Sequence, residues 1–185
     1  KLDFYLKTKY MELPKQTRYS LELTETMVSR SRKGSLLGII DSTQTAMGGR
    51  LLRLWLERQL YSLPELMRRQ NAVSELCADT VMRSEIRELL SGVYDLERLM
   101  AQIIYGSASA KTLVALSATA KKIPEIKKYL DNRRSEEIKI INSEMSSLCE
   151  IHELIDSAIT EDPPFIIREG KMIKRGYNRE LDELW

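Results

Sequence analysis

The sequence predicts an all-α fold, a multi-helix core bundle with one small β-hairpin near the C-terminus. Three observations predict it. Apolar residues recur at i, i+3 and i+4 through most of the chain, and Ser, Thr, Asp or Asn stand ahead of these runs where helix caps belong. Only "DPPFIIREGKMIKRG" suits extended backbone, because Pro163 and Pro164 block a helix and two short apolar runs flank Gly170.

Composition sets the bounds. With 185 residues, 43% hydrophobic and 30% charged, the chain is long enough to bury a core. Its 29 basic and 27 acidic side chains are interspersed and leave a net charge of +2, so no one-sign field exists to steer DNA or a membrane, and strong autonomous nucleic-acid binding is not indicated. Cys77 and Cys149 lack any CxxC or CxxH pairing, which implies reduced thiols. No apolar run approaches the ~18 to 20 residues of a membrane span, and the chain does not open like a signal peptide. A cytoplasmic protein with no membrane partner is expected.

Taken in order, residues 1–20 read as a lead-in segment whose helix-like or mixed pattern stops at Pro14. Leu21, Leu23 and Met27 are the next apolar positions. "SLLGIIDSTQT" reads as a short buried run into a turn, with Thr45 capping a helix that carries Leu51, Leu52, Trp55, Leu56 and Leu60 on one face. Gly48 and Gly49 stand in its first turn, each costing about 1 kcal/mol against alanine, so another backbone is expected to pack closely there. Ser62 and Glu65 have capping-box spacing, placing a helix over 63–77 with Leu66, Ala72, Val73 and Leu76 inward. Val81, Ile86, Leu89 and Leu90 mark the next helix, ending at Gly92. Asp95 caps another that ends at Gly106 and presents Leu96, Leu99, Met100 and Ile103. After Ser109 the pattern gives one helix to Ile123 and a second from Pro124, followed by a long helix with a break near Ser146 and Ser147.

The hairpin is placed at 165–175, with Phe165 to Arg168 and Met172 to Lys174 as its strands. Asn178 caps a terminal helix over 178–185 that lacks a C-cap, as though the sequence continued. Its stripe of Leu181, Leu184 and Trp185 is expected to fray or to be buried on another copy. No repeat, low-complexity tract or linker divides the chain, so 21–177 reads as one helical core domain.

No catalytic, cofactor-binding or metal-ligating residue is assigned. Gly34, Gly48 and Gly49 do not stand in a GxxxxGK[ST] phosphate cradle. His152, the only histidine, has Cys149 and Glu150 nearby, but no spacing supplies the third and fourth ligands of a zinc site. It reads as a packed or surface histidine. The adjacent pairs Glu136 and Glu137, and Asp182 and Glu183, do not face one another on a helix and read as solvated charge. Arg168, Lys171, Lys174 and Arg175, and the "RSRKG" run from Arg30 to Gly34, read as solvated basic loops. Any phosphate contact there would carry no base readout.

Three separated blocks carry a resemblance: "LELTET" at 21–26 followed by "GSLLGIIDSTQTAMGGRLLRLWL"; "YDLERLMAQI" at 94–103; and "DPPFIIREGKMIKRGYNRELDEL" at 162–184. On these strings the chain resembles the core, or lever, domain of the MutS family of bacterial DNA mismatch-repair proteins. It departs from the family pattern at Gly38, where a bulky residue is usual, at "RYSLEL" in place of a form closer to "RRNLEL", and in having fewer residues between Leu6 and Leu21. The resemblance implies a non-catalytic connector joining an ATPase to paired levers that end in a DNA clamp. It further implies mismatched duplex DNA, other domains of the same chain and a homodimer partner for the full-length protein. ATP and Mg are implied cofactors of that protein, with none in this segment, since the mismatch-reading aromatic, Walker motifs and clamp lie outside it. A free-standing helical interaction scaffold is the alternative, and it leaves the three blocks as coincidence.

Overall fold

A computed structural model describes residues 10–164, 168 and 170–184. They are mostly helical: α1 Lys15–Ser20, α2 Leu36–Ile40, α3 Ala46–Glu57, α4 Leu63–Ala78, α5 Thr80–Ser91, α6 Leu96–Ile104, α7 Ala110–Leu130, α8 Glu136–Glu144, α9 Cys149–Ala158 and α10 Arg179–Glu183. The chain divides into two compact units, Lys1–Arg83 with Arg134–Ile138, and Ser84–Arg133 with Lys139–Trp185.

In the first unit the "LELTET" and "GSLLG" blocks meet through backbone. The amides of Leu36 and Leu37 donate to the carbonyls of Glu22 and Leu23 at 3.0 and 2.9 Å. Ser35 is fully buried because both its roles are filled: its hydroxyl donates to the Arg32 carbonyl and accepts the Gly38 amide as the N-cap of α2. Only Leu37 of this helix is buried, while Ile39 is 73% exposed, so the run expected to be buried is a helix with one inward side chain. Thr45 caps α3 through the Gly48 amide, as its position predicts. The expected face of α3 is not a core face, since Leu51 and Trp55 are exposed and Leu60 is buried beyond the helix, bridging to Tyr10.

The Ser62 side chain makes no cap bond to α4, although the helix forms with Pro64 in its first turn, where the missing N–H costs nothing. From α4, Glu75 accepts the amides of Arg134 and Ser135 at 2.9 and 2.7 Å, and so secures the chain leading into α8. Arg68 and Glu137 add an ion pair at 3.5 Å.

The second unit is organised around α7. Its N-terminus carries a complete capping box, with Ser109 and Thr112 each bonding the other's backbone amide. Leu116 packs with Ile155 and Ile159, and Leu96, Leu99 and Ile103 of α6 close over them. Thr119 is wholly buried yet satisfied, donating to the Ala115 carbonyl and accepting the Tyr94 amide. The two helices expected on either side of Pro124 are one 21-residue helix. Pro124 removes one intrahelical bond, at a typical cost of about 3 kcal/mol, but buried Ala120, Ile123 and Ile126 hold both sides of it in one packed line. Lys127 then closes the far end of α8 by donating to the carbonyls of Asn142 and Met145, both at 2.6 Å. The break near Ser146 and Ser147 is present and turns on Leu148, which adopts φ 52°.

The C-terminal hairpin is not supported. Residues 165–167 and 169 lie outside the described residues, and Met172 to Lys174 pair elsewhere. Ile173 bridges antiparallel to Ile159, with Thr160 donating to Met172 and Lys174 donating to Ala158. The extended C-cap of α9 (Ile159 φ −110°, ψ 140°) leaves edge groups that this segment satisfies. Asn178 caps α10 through the amides of Glu180 and Leu181, as expected. Leu184 is 84% exposed, and Trp185 lies outside the described residues.

Candidate functional site

A concave, charged feature lies in the first unit, where α1, the loop after it and α3 surround a cavity of about 520 Å³. Lys15 and Arg18 reach it from α1, Glu25 and Arg30 from the loop, and Arg53 and Glu57 from α3. The i, i+3 spacing of Lys15 and Arg18 puts both cations on one side of a short helix. Arg53 and Glu57, at i, i+4 on α3, are paired at 2.9 Å. Arg30 takes positive φ (53°), which turns its side chain back toward Glu25 at 3.7 Å and over the Tyr19 ring at 5.1 Å. The Tyr19 hydroxyl, donating to the Met27 carbonyl, fixes that ring. The cavity is a preformed cationic pocket with a partial acidic lining.

In the same unit, Asp41 is a carboxylate with several partners. It accepts the hydroxyl and the amide of Thr43 and binds the Arg32 guanidinium. The Thr43 hydroxyl first, then the Thr43 amide and Arg32, hold its carboxyl below the ordinary value against the opposing effect of burial.

The glycines of α3 have a different environment from the one their sequence suggests. A Cβ at Gly48 would meet the side chains of Thr45 and Thr43, and one at Gly49 would meet Thr43 Oγ1 at 3.3 Å and Asp41 Oδ2 at 3.6 Å. The close neighbours are side chains. The position pressed by backbone is Gly38, where a Cβ would stand 2.1 Å from the Arg32 carbonyl oxygen. The amide of Gly48 is taken by Thr45 Oγ1 and that of Gly49 by the Thr45 carbonyl, so neither glycine amide is open to a nucleotide phosphate.

The other residues considered from sequence are dispersed. His152 Nδ1 lies 2.8 Å from the buried Ser117 hydroxyl and joins α9 to α7. Cys149 and Glu150 are exposed, and among the described residues no group of three or more His, Cys, Asp or Glu is placed to hold a metal. Glu137 pairs with Arg68 while Glu136 is exposed. Asp182 accepts the Gly176 amide, and Glu183 lies 3.7 Å from Arg179. Lys174 is held by Asp156, while Arg168 and Lys171 are exposed. Arg32 of the "RSRKG" run is bound to Asp41. Sequence reasoning did not single out Lys15 or Arg18, whose one signal is their helical spacing beside Tyr19.

Comparison with known proteins decides the family. The family model described as MutS domain III matches residues 16–185. The chain belongs to the MutS domain III family. It is 44% identical over 185 residues to the DNA mismatch repair protein MutS of Alkaliphilus oremlandii, covering 100% of this chain and 21% of that protein. It is 43% identical over 182 residues to the MutS of Acetivibrio thermocellus (98% and 21%), and 42% identical over 184 residues to that of Halothermothrix orenii (100% and 20%). The chain thus spans about a fifth of the length of these curated MutS relatives. The "LELTET" junction, the Asp95-capped helix α6 and the pairing of 172–174 with 158–160 all fall inside the matched span.

Proposed function

We propose that this domain III segment is a non-catalytic coupling element of a DNA mismatch-repair ATPase, linking the ATPase to a DNA clamp within the full-length protein. The observation that carries the reading is the MutS domain III match over 16–185. Packing supports it. Coupling between distant sites needs contiguous packed elements with discrete arrangements, and α7 supplies one, tied to α6 and α9 by Leu116, Ile155 and Ile159. Residues 178–185 would begin the lever, following the core of 21–177. Mismatched duplex DNA, the other domains of the chain, a second copy of the full-length protein, ATP and Mg would be engaged through the parts outside this segment. The protein would work in the cytoplasm, and no helix among the described residues is long and apolar enough to cross a membrane.

The test is a chimera in which this chain replaces the corresponding segment of the Alkaliphilus oremlandii MutS. Leu116→Ala opens the α7 packing at a cost of about 2–5 kcal/mol. The chimera carrying it should still bind ATP and mismatched duplex separately while losing the effect of one on the other. Undiminished coupling in that variant, or ATP hydrolysis by the isolated 185-residue chain, would overturn the proposal.

A further inference from the structure

The cationic cavity of the first unit has an uneven charge balance. Arg30 and Arg53 are matched by Glu25 and Glu57. Lys15 and Arg18 face the same space with no carboxylate partner among the described residues, and the Nε of Arg18 is buried without any hydrogen-bond partner. That donor is closed off from the cavity, so the charge of Arg18 is not compensated from its own surroundings. Two unmatched positive charges in one concave site call for two negative charges of compact size.

We propose that this cavity binds a single phosphate group, free or as a small monoester, with Lys15 and Arg18 as its charge partners. Phosphate is the class that fits. A dianion matches two cations, its oxygens accept the planar Arg fork and the Lys ammonium together, and a carboxylate would leave one cation unmatched. A nucleic-acid backbone fits poorly, because a polyanion is tracked by a basic stripe, whereas Glu25 and Glu57 stand in the wall of this pocket and would repel neighbouring phosphates. Arg30, stacked on Tyr19 and paired with Glu25, shapes the wall. This assignment does not depend on the coupling role.

Inorganic phosphate titrated into the 185-residue chain at about pH 8, where phosphate is chiefly dianionic, and at constant ionic strength, is followed by 31P NMR. Saturable binding is expected. Arg18→Gln and Lys15→Gln should each weaken it about tenfold, the loss of one hydrogen bond to a charged group. Lys15 is exposed, so its variant decides the matter if Arg18→Gln does not fold. Acetate should bind more weakly than phosphate by a similar factor. The proposal is overturned by non-saturating phosphate, by acetate binding as tightly as phosphate, by Lys15→Gln binding like the parent, or by a DNA duplex that binds while phosphate neither binds nor competes.

Discussion

Replacing Glu75 by alanine removes the one side chain that holds the amides of Arg134 and Ser135 at the start of α8, about sixty positions away in sequence. The two bonds do not carry equal weight. Arg134 is exposed, so water replaces the carboxylate at its amide. Ser135 is only 7% exposed, and its own hydroxyl is already without a partner, so its amide loses its acceptor outright. A hydrogen bond to a charged acceptor contributes about 1.5–3 kcal/mol, and a carboxylate beside a helix N-terminus adds about 0.3–1. The expected cost is therefore about 2–4 kcal/mol, or a fall of roughly 5–15 °C in melting temperature for a chain of this size. Glu75→Gln keeps an acceptor but not the charge, and should fall between. Thermal melts give the total, and amide hydrogen exchange at residues 134–138 locates it. Unchanged protection at Ser135 and Ile138 in Glu75→Ala, or equal melting of the two variants, would refute the account.

Two further outcomes can be read from denaturant midpoints. Gly38→Ala should destabilise, because the Arg32 carbonyl must move and overpacking of about 1–3 kcal/mol exceeds the ~1 kcal/mol that helix propensity returns. Gly49→Ala should destabilise less, since it presses only on the Thr43 hydroxyl at 3.3 Å, and the reverse order would show that side-chain contacts dominate at these glycines. For Asp41, whose carboxyl titrates below its ordinary value of 3.8 when folded, the stabilisation is complete above that value and is lost as pH falls through the lower folded value. The stability gap between the parent and Asp41→Asn should accordingly be widest at neutral pH and shrink under acid, and a gap independent of pH would contradict the role given to the ionised form.

What the sequence made legible was local. Thr45, Asp95, Ser109 and Asn178 each cap the helix they precede, because a short polar side chain meets an amide two or three residues on. The break at Leu148 was marked by adjacent serines, a residue type that favours helix ends over helix interiors. Legibility ended where a distant partner decided the outcome. Pro124 reads as a boundary until Ala120, Ile123 and Ile126 are seen buried along one face. Met172 to Lys174 read as half of a hairpin because the nearest extended run is its neighbour, whereas its partner is the end of α9. Likewise the cationic cavity assembles side chains from three segments, and the spacings within them, Lys15 with Arg18 on α1 and Arg53 with Glu57 on α3, do not reveal that the segments meet.

The glycines of the first unit show the same division. Gly48 and Gly49 attract notice because two glycines open a helix, and the inference that something approaches them is correct in kind but not in agent. Asp41 lies near Gly49, accepts both donors of Thr43 and binds the side chain of Arg32. The backbone of that same Arg32 comes closest at Gly38, where its carbonyl occupies the space a side chain would need. A single arginine therefore links the two observations, with its guanidinium at the carboxylate beside α3 and its carbonyl against the bare backbone of α2. Removing the side chain at 38 permits the 32–35 turn to close, and the Ser35 hydroxyl, bonded to that same Arg32 carbonyl, locks it there. Glycine is placed here by the packing of a polar cluster around Asp41 and Arg32 rather than by the conformational needs of either helix.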